Sequence, residues 1–268
     1  DFVQLVLAGI ETETDIGVVQ GVLRQTRMAI DQFAADAHRQ EYLVRFAARA
    51  LELARRSEPG SDRQLAFTRS FAGAATTPEH LATVAALLDG TEQWDGLVID
   101  TDLRWFLLLQ LVSAGLRGND EITTELASDD TATGRRQAAT ARASVPTAEA
   151  KQWAWEEIFH NDDLPNAMLE ATIAGFADRD HRDLTDAYLE RYFDALPGVW
   201  AERTMEIAQS ITMGLFPMYS VDDSTIDRAD RFLASDPSPA LARLVAEGRD
   251  GLLRAQRARA RDADSAAN

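Results

Sequence analysis

The sequence predicts an all-α protein, built as a right-handed superhelix of antiparallel helix pairs in the manner of a HEAT or armadillo solenoid. Apolar residues recur with a 3.6-residue period in nearly every segment, and alternating strand patterns are almost missing. Helix starts and stops also punctuate the chain at short intervals.

The elements follow in order. The chain opens on Phe2, Val3, Leu5, Val6 and Ile10, with no initiator Met. An apolar opening helix normally needs a neighbour, so it points to a module cut from, or docking onto, something larger. Over 16–33, Ile16, Val19, Leu23 and Ile30 share a face, with Val22, Thr26 and Phe33 beside it. Over 38–55, Tyr42, Phe46, Arg49, Ala50 and Leu53 repeat the pattern. Glu58-Pro59-Gly60 writes a stop, and Ser61 with Gln64 three residues on spells a capping box. Thr77-Pro78-Glu79 is a start, with a side-chain acceptor before a proline where no amide donor is required. Asp89-Gly90 stops that helix, and Asp100-Thr101-Asp102 caps the next.

That next helix, about 102–116, carries Leu103, Trp105, Phe106, Leu107, Leu108, Leu109, Leu111 and Val112 around its whole circumference, so it should be packed on all sides. Gly118-Asn119 and Leu196-Pro197-Gly198 read as further stops, and Ser238-Pro239 as the start of the last helix, about 238–261. Its closing Arg249, Arg254, Arg257, Arg259 and Arg261 should offset the negative end of the helix dipole. Residues 262–268 read as a disordered tail, leaving 1–261 as a single domain. The punctuation gives roughly a dozen to fourteen helices joined by short connections. No strict repeat period occurs, so a regular tetratricopeptide or ankyrin array is not expected, and a compact bundle is the competing architecture. All five tryptophans fall between 94 and 200, which should mark the thickest core.

Composition bounds the function. The 268 residues are 46% apolar, enough for a substantial core. The net charge of -17 repels nucleic-acid phosphate and anionic lipid, so neither is an expected partner. Cysteine is absent, which removes disulfides, thiolate nucleophiles and cysteine metal sites and agrees with a cytoplasmic location. Of 27 basic residues only Lys151 is lysine, as a GC-rich coding bias would give. The most apolar window, 103–116, contains Arg104 and Gln110 and is too short to span a bilayer.

Chemical motifs are imitated rather than present. His38, His80, His160 and His181 are far apart, and none begins the His-Glu-x-x-His of a zinc hydrolase, so each reads as a surface or capping residue. His181-Arg182-Asp183-Leu184 spells the start of a kinase catalytic loop, but Tyr188 stands where its metal-binding Asn belongs. Asp129-Asp130, Asp162-Asp163 and Asp222-Asp223 imitate diphosphate-binding carboxylates, but Thr133, Asn166 and Ile226 replace the further acid; all three pairs read as helix starts. No catalytic centre and no metal ligand set is expected within this chain.

A family resemblance runs along the whole chain. Asp15-Ile16-Gly17-Val18-Val19-Gln20, Asp100-Thr101-Asp102-Leu103-Arg104-Trp105 and Asp130-Thr131-Ala132-Thr133-Gly134-Arg135 resemble the C-terminal region of actinobacterial aminopeptidase N. Ala141-Arg142-Ala143 leading into Pro146-Thr147-Ala148-Glu149-Ala150-Lys151, then Ala154-Trp155-Glu156, Gly175-Phe176, Tyr192-Phe193, Phe216-Pro217, Arg243-Leu244 and Glu247-Gly248 continue the likeness in order. A similar domain closes the endoplasmic-reticulum aminopeptidases of animals.

The resemblance implies a zinc metallopeptidase that removes N-terminal residues from peptides. Its metal-binding and substrate-gripping motifs would belong to an upstream catalytic domain of the same polypeptide and do not occur here. The C-terminal domain would cover the active-site cavity and limit which peptides enter. No cofactor is expected in this chain, and zinc only in the intact enzyme.

An arginine on such a wall can pair with a peptide C-terminal carboxylate through a two-pronged hydrogen bond. The candidates are Arg142, which otherwise caps the carbonyls of its own helix, and Arg104, which otherwise pairs with Asp100 or a neighbouring acid. The alternative function is a stand-alone helical-repeat scaffold that binds a protein partner in its groove. A weaker third is an all-helical enzyme using carboxylates.

Overall fold

Most helices begin where a short polar side chain takes over an orphan amide. Asp15, Ser61, Thr77, Asp100, Thr131, Thr147, Thr204 and Asp222 each accept a hydrogen bond from the backbone N–H three residues on. The computed structural model describes residues 2–265, and among the described residues there are helices and no strands. The all-α expectation is met. The chain divides into two compact units, Asp1–Leu116 with Ala258–Asn268, and Arg117–Arg257.

The first unit runs α1 (Phe2–Gly9), α2 (Ile16–Met28), α3 (Asp36–Arg56), α4 (Asp62–Gly73), α5 (Pro78–Leu88) and α6 (Thr101–Ser113). A five-residue π-helical turn, Ala29–Phe33, continues α2. The apolar stripe expected over 16–33 is the buried one: Val19, Leu23 and Ile30 are inside, and Thr26 joins them by returning its hydroxyl to the Val22 carbonyl at 2.8 Å. Helix α4 packs on α2, α3 and α6, and Phe67 and Phe71 of α4 and Leu43 and Phe46 of α3 are all buried. In α6, every position from Leu103 to Ser113 is buried or half-buried, as its uniform apolarity predicts.

The second unit runs α7 (Asn119–Ser128), α8 (Ala132–Ser144), α9 (Ala148–His160), α10 (Asn166–Phe176), α11 (Arg182–Thr185), α12 (Leu189–Glu202), α13 (Met205–Gly214) and α14 (Asp223–Ala234). Short 3-10 turns flank α11 at Arg179–His181 and Asp186–Tyr188. Helix α8 packs on α7 and α9 and, most extensively, on α10; α10 also reaches α13, and α12 reaches α14. Several of these contacts join a helix to the next or to the one after, as stacked helical hairpins do. The core joins Trp155, Phe176, Tyr192, Phe193, Phe216 and Phe232. The last helix, α15 (Pro239–Ser265), contributes Leu241, Val245 and Leu252 to this core, and its final residues belong to the first unit.

Several expected boundaries differ. Gly118-Asn119 begins α7 rather than ending a helix, because Glu121 accepts from the Gly118 amide at 2.8 Å; the stop lies earlier, at Gly115, in the left-handed region with φ 72°. Pro197 lies inside α12. Its ring removes one helical hydrogen bond, but the buried stripe of Tyr192, Phe193, Leu196 and Val199 carries the helix across it. Ser61 caps α4 as expected, yet Gln64 Oε1 accepts from the Gly60 amide at 2.8 Å, one residue short of a capping box, while its Nε2 ties down the Asp95 carbonyl.

Three of the closing arginines of α15 serve specific partners rather than a helix end. Arg249 bonds Asp230, Arg254 bonds Asp250, and Arg259 donates to the Gln32 carbonyl at 3.0 Å. The helix continues through Ser265, so 262–265 are not a tail. Asp262 accepts from the Ala35 amide at 2.9 Å and from the Tyr42 hydroxyl at 2.9 Å, which anchors those turns. Residues 266–268 of the expected tail lie outside the described residues. The tryptophans do not mark one thick core: Trp105 is buried in the first unit and Trp155 in the second, and Phe46, Phe67, Phe71 and Phe232 extend the buried aromatics beyond 94–200.

Candidate functional site

The two arginines singled out by sequence fall in different units. Arg104 is half-buried on α6, and its guanidinium donates to the carbonyl of Leu88, the last residue of α5, at 3.2 Å. That oxygen is one of the four a helix leaves without an internal donor, so Arg104 caps a helix end. Asp100 turns one carboxylate oxygen to the Leu103 amide at 2.8 Å.

Arg142 is half-buried in the last turn of α8. Among the described residues its side chain forms no hydrogen bond or ion pair. The Ala143 carbonyl in the last turn of α8 is instead served by Lys151, in place of the self-capping expected of Arg142.

Lys151 is the residue that sequence reasoning passed over. It is wholly buried, and its Nζ donates to Ala143 O at 2.7 Å, Gly175 O at 3.1 Å and Phe176 O at 3.2 Å. Ala143 closes α8, and Gly175 and Phe176 close α10, so one ammonium serves the negative ends of two helices. Burial lowers its pKa to about 8, with the Asp178 carboxylate opposing. A signal was present: Lys151, Ala154, Trp155 and Ile158 share one helix face, which places the lysine on a core stripe.

Phe176 and Trp155 line a cavity of about 40 Å³ in the second unit, closed by Tyr188, Tyr192, Phe216 and Tyr219. It has room for a few ordered waters. Tyr192 donates to the Thr212 carbonyl at 2.7 Å, and burial raises its pKa. Outside, Arg191 lies 4.8 Å from the Trp155 ring centre and 5.0 Å from that of Tyr188. A more open groove of about 630 Å³ lies where α9, α12 and α13 meet, lined by His160, Asp162, Glu202 and Arg203. Its size is that of ligand-binding clefts, and Arg203 is tied to Asp162 at 2.6 Å and to the Phe159 carbonyl at 3.1 Å. Neither concavity includes Arg104 or Arg142.

The histidines are more interior than expected. His181 is buried, and His80 is half-buried with its ring edge-on to Phe71 at 5.5 Å, where burial lowers its pKa. His38 Nδ1 lies 3.1 Å from Asp262, and His160 is exposed near Glu156. Of the acidic pairs, Asp222 caps α14, Asp129 and Asp130 lie between α7 and α8, and Asp162-Asp163 lies in the loop before α10 rather than at its start. His181-Arg182-Asp183-Leu184 crosses from a 3-10 turn into α11. Among the described residues no group of three or more His, Asp or Glu is placed to hold a metal ion. No helix among them is long and apolar enough to cross a membrane.

This all-α chain belongs to the ERAP1-like C-terminal domain family, whose model matches residues 1–254 and so spans both units. It is similar to Aminopeptidase N of Streptomyces lividans, with 51% identity over 267 residues, 99% of this chain and 31% of the relative. The chain thus spans about a third of that protein's length.

Proposed function

We propose that this chain is the C-terminal helical domain of a zinc-dependent aminopeptidase, that it covers the active-site cavity of an upstream catalytic domain in the same polypeptide, and that it shapes which peptides enter. One observation carries the reading: identity to Aminopeptidase N extends along nearly all of this chain and stops at about a third of that relative. In this reading the zinc chemistry belongs to the upstream catalytic domain. This chain's contribution is a wall that holds peptide and excludes water while hydrolysis proceeds elsewhere.

On that wall Arg142 is the first candidate for a peptide C-terminal carboxylate, since its guanidinium is uncommitted among the described residues. Arg104 is the second, and would have to release the Leu88 carbonyl to serve. Residues 1–261 act as one module in this reading, working in the cytoplasm without nucleic-acid or membrane partners, in keeping with the net charge of -17.

The test adds this chain to the catalytic portion of a homologous aminopeptidase truncated before the matching region. Aminopeptidase turnover should rise on addition. Absence of binding together with unchanged turnover would refute the reading, and specific capture of an unrelated protein would favour the scaffold alternative.

A further inference from the structure

The lone lysine of the chain occupies a position where its charge state has structural consequences. Its ammonium has three N–H donors and meets three carbonyls, those of Ala143, Gly175 and Phe176. Among the described residues no carboxylate hydrogen-bonds the ammonium, although the Asp178 charge favours it; its bonded partners are the ends of α8 and α10.

The neutral amine keeps two N–H donors and turns a lone pair toward the third carbonyl. Gly175 O also accepts from Ser144 Oγ at 3.3 Å, and Ala143 O holds the shortest bond. The Phe176 carbonyl, at 3.2 Å, is therefore the one to let go. Phe176 lines the aromatic cavity, and its ring centre lies 5.8 Å from Nζ, so losing the charge also removes a cation–π attraction.

We propose that Lys151 is a proton-operated joint in the wall of the aromatic cavity: the ammonium draws the ends of α8 and α10 onto α9, and loss of its proton to solvent releases Phe176 to a second position. Of the charged groups around it, Asp178 acts on the lysine directly and favours its charged form. Helix α8 presents Thr140 and Ser144, with Arg142 next to Ala143 in the chain; α10 presents backbone carbonyls. Asp178 follows α10, with Arg179 and His181 on the same turn and His181 Nδ1 3.8 Å from Asp178. On α9 itself Glu149 and Glu156 are exposed and Glu157 is half-buried, accepting from Asn161 Nδ2 at 2.8 Å; α11, which packs on α9, carries Arg182 and Asp183. Burial moves the proton loss from 10.5 to about 8, within reach of mildly alkaline solution.

Because Lys151 is the only lysine, 13C,15N-lysine labelling of this chain gives a single side-chain signal to follow from pH 6 to 11. Its midpoint should lie near 8, and the Phe176 carbonyl and Trp155 indole resonances should move with the same midpoint. A lysine midpoint at 10 or above overturns the proposal. So does a midpoint near 8 with Phe176 and Trp155 unmoved. In Lys151→Met the coupled movement should vanish, and its persistence would also overturn the proposal. If that variant does not fold, the titration of the unaltered chain decides alone.

Discussion

Gly175 sets how closely α8 and α10 approach. A Cβ there would stand 2.1 Å from the Thr140 carbonyl and 2.8 Å from the Ala143 methyl, both fixed by helix backbone. Gly175→Ala should therefore cost about 1–3 kcal/mol of stability, read as a lower urea midpoint, as overpacking a tight contact does. At Lys151 the sign of the pH dependence follows from burial. The folded chain gives up the proton near 8 and the unfolded chain near 10.5, so the linked stability is complete above 10.5 and lost as the pH falls through 8. Denaturant titrations should show the unaltered chain gaining on the order of 3 kcal/mol relative to Lys151→Met across that window. A flat difference would mean the side chain is solvated. Both residues fall within the stretches that resemble the family, yet their roles were not legible. A lysine on an apolar stripe announces burial, but which carbonyls it meets depends on the ends of two other helices.

Helix starts were the most legible elements, because a cap is a local bargain between one side-chain oxygen and an amide three residues on. Asp222→Ala should destabilise the second unit by about 1 kcal/mol, read as a lower thermal midpoint with an unchanged helical spectrum. Helix ends were less legible. Pro197 and Gly198 carry the local signs of a stop, but Leu196 and Val199 are buried, and tertiary packing overrides the local preference. The end of α15 was misread for a similar reason. Asp262 closes the N-terminus of α3 through Ala35 and bonds Tyr42, contacts more than two hundred residues apart in sequence. Asp262→Asn should free the last turns of α15, seen as faster amide exchange at 258–265 and at Ala35, with a loss of about 1–3 kcal/mol. Unchanged exchange at both places would show that the anchor lies elsewhere.

For the whole molecule, the class of fold followed from periodicity alone, since a 3.6-residue pattern repeated through the chain leaves no place for a sheet. Division into two units did not, because the caps and stops look alike on either side of Leu116 and Arg117. The candidate site was legible only as a type of contact. Arginine is suited to a carboxylate, but sequence could not tell that Arg104 is engaged by Leu88 while Arg142 is uncommitted among the described residues. In an intact enzyme, Arg142→Ala should raise KM for peptides ending in a free carboxylate and leave C-terminally amidated peptides unaffected; equal effects on both would remove Arg142 from substrate binding. The central claim, that this domain governs access rather than chemistry, is tested most directly by comparing an intact aminopeptidase with the same enzyme lacking this region. The ratio of kcat/KM for peptides of increasing length to that for a single-residue amide is the quantity to measure. Removing the domain should change the dependence on peptide length far more than it changes cleavage of the amide. An unaltered length dependence, or hydrolysis by the 268-residue chain alone, would contradict it.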